Sequence, residues 1–174
     1  MKISKLLTFQ ISSCNLFKDE PCYKCEDDWK EHGGNCYYFS TNSSPWNESR
    51  TVCKTKGGDL VKIDSEEEQN FLRKNVQQKM EIHDIPFWIG LTDLAEEGRW
   101  LWVDDLNEGG EVQFWIALTF WRFFEPDDWK GKDPDGEDCG RMGPVYWFDN
   151  SCKRSRGSIC EKSAVVGHHI FVCV

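Results

Sequence analysis

The sequence predicts an α+β domain stapled by disulfides, and three observations predict it. Nine cysteines are many for 174 residues, and only Cys22-Tyr-Lys-Cys25 has the close spacing that zinc favours. His32, His83, His168 and His169 stand at no ligand periodicity relative to that pair, so disulfides explain the cysteines better than zinc does. The first half carries two helical patterns, each preceded by a strand, and the second half turns to apolar strands around a long acidic loop. The length fits one domain with extensions. The domain is expected over residues 22–162, with a leader or stub over 1–21 and a C-terminal tail over 163–174. Within the leader, Lys2 and Lys5 precede Leu6-Leu7-Thr8-Phe9-Gln10-Ile11, a weak signal-like segment whose apolar part is short and broken by Gln10.

Each element has its own cause. From Cys25 to Cys36, Trp29 sits among charges and Gly33-Gly34 forms a turn, which suits a hairpin closed by a disulfide. Tyr37-Tyr38-Phe39 continues it as a strand. Ser44 is expected to cap a helix with Pro45 at its first position, running through Val52-Cys53 until Gly57-Gly58 stops it. Leu60-Val61-Lys62-Ile63 reads as a short strand. Ser65 with Glu68 three residues on is a capping box, and Phe71, Leu72, Val76 and Met80 form one apolar stripe on the helix it opens. Phe87-Trp88-Ile89-Gly90-Leu91 reads as a buried strand, and Arg99-Trp100-Leu101-Trp102-Val103 alternates as another. From Asp104 to Gly143 there is little regular pattern, and so long a loop in a compact domain points to function or bound ligands. Tyr146-Trp147-Phe148 and Gly157-Ser158-Ile159-Cys160 close the domain. The tail pairs Val165-Val166 and Ile170-Phe171-Val172-Cys173 as an edge strand or leaves them loose.

Charge excludes several function classes. The chain carries 30 acids against 21 bases, a formal net charge of −9. A nucleic-acid binder needs a basic face to neutralise phosphates, and none is present. Anionic membrane surfaces are disfavoured for the same reason. No apolar run approaches the roughly 18 to 20 residues that span a bilayer, and 24 aromatic residues supply enough buried surface to oppose disorder. The sequons Asn42-Ser43-Ser44 and Asn47-Glu48-Ser49 agree with an extracellular protein, secreted or at a cell surface.

The acids are concentrated in the long loop: Glu125-Pro126-Asp127-Asp128-Trp129, then Gly136-Glu137-Asp138-Cys139, then Asp149. Asp93 and Glu97 could join them. Crowded carboxylates repel one another unless a cation neutralises them, and Ca²⁺ takes six to eight oxygens from flexible loops of this kind. A solvated acidic loop is the plainer alternative.

From Cys25 to Glu161 the chain resembles a C-type lectin domain of the long form. The residues that carry the resemblance are Trp88-Ile89-Gly90-Leu91, Glu125-Pro126-Asp127, Glu137-Asp138-Cys139, Trp147-Phe148-Asp149 and six cysteines, all in family order. The resemblance implies two helices with two small antiparallel sheets and a long calcium-binding loop. It implies disulfides Cys25–Cys36, Cys53–Cys160 and Cys139–Cys152; a further pair, Cys22–Cys173, would leave Cys14 free or paired between chains. It also implies a sugar-binding Ca²⁺ site of Glu125, Asp127, Glu137 and Asp149, a cis bond before Pro126, and an auxiliary site of Asp93, Glu97, Asp128 and Asp138.

Two departures bear on the sugar. Phe148 stands where the family usually has asparagine, which removes one calcium ligand. The triplet Glu125-Pro126-Asp127 matches neither the mannose-type Glu-Pro-Asn nor the galactose-type Gln-Pro-Asp. Asp127 and Phe148 thereby remove both amides that would donate to a sugar hydroxyl. Calcium binding is expected to survive while monosaccharide binding weakens. Trp129 resembles the tryptophan with which galactose-type members stack on the sugar's apolar face, and it tilts the expectation slightly towards galactose-type ligands. The expected partners are glycans or glycoproteins, and any oligomer would form through Cys14 or a neck outside the chain. The segment 108–116 lengthens the approach to Glu125. The leading expectation is a non-enzymatic, calcium-dependent glycan-binding module in recognition or immunity. The alternative is a lectin-like domain that recognises a protein or lipid, with calcium structural or absent. An enzyme is disfavoured, because no serine or histidine joins the acids in a nucleophilic arrangement.

Overall fold

The computed structural model describes residues 22–83, 86–104 and 119–167. Cys14, Cys173, the segment 108–116 and Ile170-Phe171-Val172 lie outside them, as does the expected Cys22–Cys173 pairing.

The chain enters through β1 (Cys22–Lys24), which pairs antiparallel with β10 (Val165–Gly167), so the first and last described elements clasp each other. Val165-Val166 therefore forms the edge strand. β2 (Lys30–His32) turns through Gly33 and Gly34, both at positive φ, into β3 (Asn35–Phe39), and the Cys25–Cys36 bond closes this hairpin. β3 then pairs with β9 (Gly157–Ser163) over five residues.

The first helix, α1, spans Trp46–Thr55, one residue later than the sequence suggests. Pro45 occupies the capping position with no side-chain cap, because Ser44 Oγ is engaged with Ser49 Oγ at 2.7 Å and Ser44 pairs through its backbone with Arg156. Gly57, at φ 83°, ends it. Of the next expected strand, residues 60–63, only Leu60 pairs, joined by Asp59 as β4 (Asp59–Leu60) on β9. Val61 instead bridges two layers, donating to Ile159 O and accepting from Gly90 N. α2 (Glu66–His83) opens on the capping box, with Glu68 N donating to Ser65 Oγ at 3.1 Å. Leu72 and Val76 are fully buried, and Phe71 and Met80 pack against the same core.

β5 (Phe87–Thr92) is buried along its whole length. It pairs antiparallel with β6 (Leu101–Trp102) and β7 (Cys139–Met142), and parallel with β9. This parallel contact joins the antiparallel set β2–β3–β9–β4 to the set β5–β6–β7–β8, where β8 is Trp147–Asn150. The Arg99–Val103 pattern contracts to two paired residues, both buried, with Trp100 at the rim of the core.

β7 falls inside the stretch read as patternless. Cys-Gly-Arg-Met has no alternation to betray it; the strand exists because the Cys139–Cys152 bond and a four-residue register with β8 hold it. Gly140 suits the close packing there, since a Cβ would stand 3.0 Å from Leu91 Cβ, tighter than most side-chain contacts. Trp88, Trp102 and Trp147 are buried as core, each with the contacts a large ring needs. The indole of Trp88 donates to Ser44 O at 3.0 Å and that of Trp147 to Gln69 Oε1 at 3.1 Å. The Cys53–Cys160 bond sits fully buried between α1 and β9.

Candidate functional site

The acidic residues gather where the long loop returns to the sheet. Trp121 and Phe120 pack on Trp147, and Arg122 N donates to Trp147 O at 3.0 Å, so the loop leaves the core from a fixed point. Four residues on, the Glu125-Pro126 peptide is cis. Asp149, at the centre of β8 and 2 % exposed, reaches back to the loop: its Oδ2 accepts from Asp127 N at 2.8 Å and Asp128 N at 2.9 Å. Carboxylate oxygens of Glu125, Asp127 and Asp149 lie within 4.8 Å of one another.

Asp149 spends only one oxygen on the loop. Its Oδ1 is buried and has no hydrogen-bond partner. No Lys or Arg comes within ion-pair distance of these three acids among the described residues. Burial, then the neighbouring Asp149, pushes the Glu125 carboxyl up to about 8, and burial with Asp149 and Asp127 pushes Glu137 up to about 7. Glu137 is electrostatically part of the site, yet its oxygens fall outside the group of three. The expected foursome is thus a close trio with a fourth acid at its edge.

The second set divides in the same way. Glu97, Asp128 and Asp138 bring oxygens within 4.8 Å of one another. Asp93 stands apart from them, because its Oδ2 accepts from Gly98 N at 2.9 Å across a tight turn. Its Oδ1 is, among the described residues, the other buried carboxylate oxygen without a partner, and burial raises this carboxyl to about 7. Asp138 is fixed beside it by its carbonyl, which accepts from Thr92 Oγ1 at 2.7 Å and Asp93 N at 3.2 Å. Asp128, at φ 46°, accepts from Glu137 N at 3.1 Å and pairs with Lys130 Nζ at 3.1 Å. Gly136 makes that approach possible, since a Cβ there would stand 1.9 Å from Asp128 Oδ1.

The donor set suits a hard divalent cation: oxygen ligands only, several acids converging, and one orphaned buried oxygen beside each cluster. Two further acids of the loop are paired with a lysine that follows β8. Lys153 pairs with Asp133 at 2.9 Å and Asp135 at 2.6 Å, while Ser151 Oγ donates to Asp133. Sequence reading missed both lysines, whose spacing from their acids carries no local pattern.

Phe148 lies half-buried on β8, opposite Arg141 on β7. The Arg141 guanidinium sits 4.3 Å from the ring centroid and that of Arg122 lies 5.7 Å away. The ring is therefore capped by two cations where an amide would face the acids. Trp129 is 49 % exposed and packs over Gly131, with Lys132 Nζ 5.5 Å from its ring. Phe123 and Phe124, just before the cis peptide, are 81 % and 84 % exposed. Sequence reading passed over them, although two adjacent phenylalanines before Glu125 were visible.

Comparison with known proteins places the chain in a family. A family model described as "Lectin C-type domain" matches residues 42–162. Mouse asialoglycoprotein receptor 2 is 34 % identical over 160 residues, covering 90 % of this chain and 48 % of that protein. Mouse CD209 antigen-like protein C is 35 % identical over 145 residues, covering 83 % and 72 %. The chain thus spans about half the length of the first relative. The trimeric Kupffer cell C-type lectin receptor Clec4f superposes with a TM-score of 0.69 at 35 % identity, covering 78 % of this chain and 83 % of that one. The cow CD23 carbohydrate-recognition domain, solved in the presence of a GlcNAc2Man3 oligosaccharide, gives 0.68 at 32 % identity, covering 83 % and 99 %. A calcium-independent type II antifreeze protein gives 0.65 at 28 % identity, covering 83 % and 98 %, so similar chains serve more than one ligand.

Proposed function

The chain belongs to the C-type lectin domain family, whose members bind rather than catalyse, and from that premise we propose a calcium-dependent carbohydrate-binding module of the extracellular space. Glu125, Asp127 and Asp149 would hold the ion, with Glu137 completing the set at the edge. Glu97, Asp128 and Asp138, with Asp93 beside them, would hold a second. The observation that carries this reading is the unpartnered, buried Oδ1 of Asp149 within a trio of acids that no Lys or Arg pairs among the described residues. A bound Ca²⁺ supplies the positive centre that vicinal sugar hydroxyls coordinate. Asp149 also braces the loop through Asp127 N and Asp128 N, so the residue that meets the ion orients the peptide before it.

Monosaccharide binding is weak in this reading. Each absent amide removes a hydrogen bond of about 0.5 to 1.5 kcal/mol, and Phe148, held under Arg141, is committed to a different contact. The exposed face of Trp129 favours galactose-type sugars slightly, while Glu125 belongs to the mannose-type pattern. The ligands are glycans or glycoproteins, and useful strength comes from clustering. Among the described residues no helix is long and apolar enough to cross a membrane.

A second reading has an observation of its own. The Arg141–Phe148–Arg122 stack supports a lectin-like domain that recognises a protein or lipid, with calcium structural. A glycan array run in Ca²⁺ and in chelator, on the native chain and on Phe148→Asn, separates the two. Signals abolished by chelator and strengthened by the substitution support the first. Binding indifferent to chelator refutes it.

A further inference from the structure

Phe123 and Phe124 are the most exposed large apolar residues of the described chain, at 81 % and 84 %. Their rings meet edge to face with centroids 4.3 Å apart, so they form one knob rather than two stray side chains. Phe124 also sits at φ 76°, a region that a bulky L-residue rarely adopts. Glycine would hold that backbone without strain, and glycine in place of Phe124 would also spare the exposed ring. The chain bears strain and exposure together at one position, next to Glu125 in sequence, and strain of this kind collects where ligands bind.

The knob's place limits what can meet it. Glu125 N donates to Arg122 O at 2.9 Å, so Phe123 and Phe124 are the tip of a tight turn whose last residue is a member of the acidic trio. A ligand whose hydroxyls reach that trio must carry its apolar part directly after the sugar to touch the rings. An N-linked glycan keeps its protein several sugars away from its terminal residues. A glycolipid has the required order. Charge narrows the class further: residues 93–149 hold 15 acids and 5 bases, which repels anionic headgroups.

We propose that Phe123 and Phe124 form an apolar subsite for the lipid portion of neutral glycolipids, beside the headgroup site. The inference rests on the carbohydrate reading of that site and adds its ligand class. In a membrane, the sugar meets the acidic loop while the two rings enter the apolar layer beneath it, where each ring leaves water.

The test compares the full native chain with Phe123→Ser/Phe124→Gly, in Ca²⁺. The probes are methyl galactoside and methyl mannoside in solution, phosphatidylcholine vesicles carrying galactosyl or mannosyl diacylglycerol, and plain phosphatidylcholine vesicles. The expected result is a drop of about 10- to 100-fold in binding to the glycolipid vesicles, with soluble sugar binding retained. Melting temperature should hold or rise, since glycine relieves the strain at 124. Equal glycolipid binding by both proteins overturns the proposal while leaving the carbohydrate reading intact. Equal binding to plain vesicles overturns it in favour of a general membrane anchor, and loss of soluble sugar binding in the variant assigns the rings to the sugar site itself. Enhanced binding of the variant to glycolipid would mean that the rings cover the site, and also overturns it. Failure of the native chain to bind any sugar-bearing probe refutes the carbohydrate reading.

Discussion

Replacing Glu161 by glutamine should make the domain more stable in alkali and leave it nearly unchanged in acid. Glu161 lies on β9, away from the candidate site, with Oε1 accepting from Asn35 Nδ2 at 2.7 Å and Oε2 from Lys62 N at 3.2 Å. Burial, reinforced by Glu68, raises its carboxyl from 4.5 to about 8. A carboxyl raised on folding means that the native state binds the extra proton. Its stability contribution is therefore complete below pH 4.5 and is lost as pH rises through about 8. At about 1.36 kcal/mol per pH decade the ceiling is about 5 kcal/mol. Residual hydration and the shared charge of Glu68 bring the working figure to about 2 to 3 kcal/mol. Glutamine keeps an acceptor for Lys62 N and turns its new donor to the Asn35 side chain, whose amide can present its oxygen instead, so the two proteins should nearly coincide near pH 5. At pH 9 the variant should melt about 5 to 10 °C higher. Tryptophan fluorescence melts from pH 5 to 9 in chelator measure this, because subtracting the two curves cancels the titration of every other acid. Curves that stay parallel across that range would refute the reasoning.

Three further outcomes follow from the site. Calcium affinity should fall steeply in acid: Glu125 at about 8 and Glu137 at about 7 must lose protons to the ion, so titration calorimetry in buffers of different ionisation enthalpy should detect proton release between pH 6 and 8. Asp149→Ala should remove the charge-assisted bonds to Asp127 N and Asp128 N, costing about 3 kcal/mol in the chelated protein; a melting temperature equal to that of the native chain would deny Asp149 its bracing role. Gly136→Ala, at φ 97° with its Cβ 1.9 Å from Asp128 Oδ1, should weaken calcium-dependent binding at least tenfold while β7 and the core stay folded, which binding and circular dichroism read separately.

The helices were legible because their signals are local. Ser65 and Glu68 announce α2, and its apolar stripe marks the face that Leu72 and Val76 bury. Local chemistry misled at α1, where Ser44 was drawn into the Arg156 backbone pair instead of capping. β7 was invisible because its pairing partner and its disulfide supply the order that Cys-Gly-Arg-Met lacks. The candidate site divides along the same line. Family motifs give the residue types at 125, 127, 137 and 149, but they do not say that Asp149 turns one oxygen to the loop and leaves the other free. Nor do they reveal Lys130 and Lys153, whose ion pairs depend on how the loop folds back.

Those ion pairs change what the acidic surplus means. A net charge of −9 spread over the surface would mainly keep the chain soluble. Here Lys153 ties down Asp133 and Asp135, and Lys130 ties down Asp128, so these acids of the loop already have partners. Among the described residues the trio of Glu125, Asp127 and Asp149 has none, and Arg141, the cation on the neighbouring strand, is stacked on Phe148. Phe148 removes a neutral ligand from the family's pattern while its ring engages Arg141, a guanidinium that could otherwise turn towards the acids. Asparagine at 148 would restore an oxygen ligand but release that guanidinium. The two effects oppose each other at the ion, and measuring calcium affinity on Phe148→Asn and on Phe148→Asn/Arg141→Gln separates them. Tighter binding in the double variant than in the single one would identify the released arginine as the competitor, and equal binding would leave the lost amide as the whole effect.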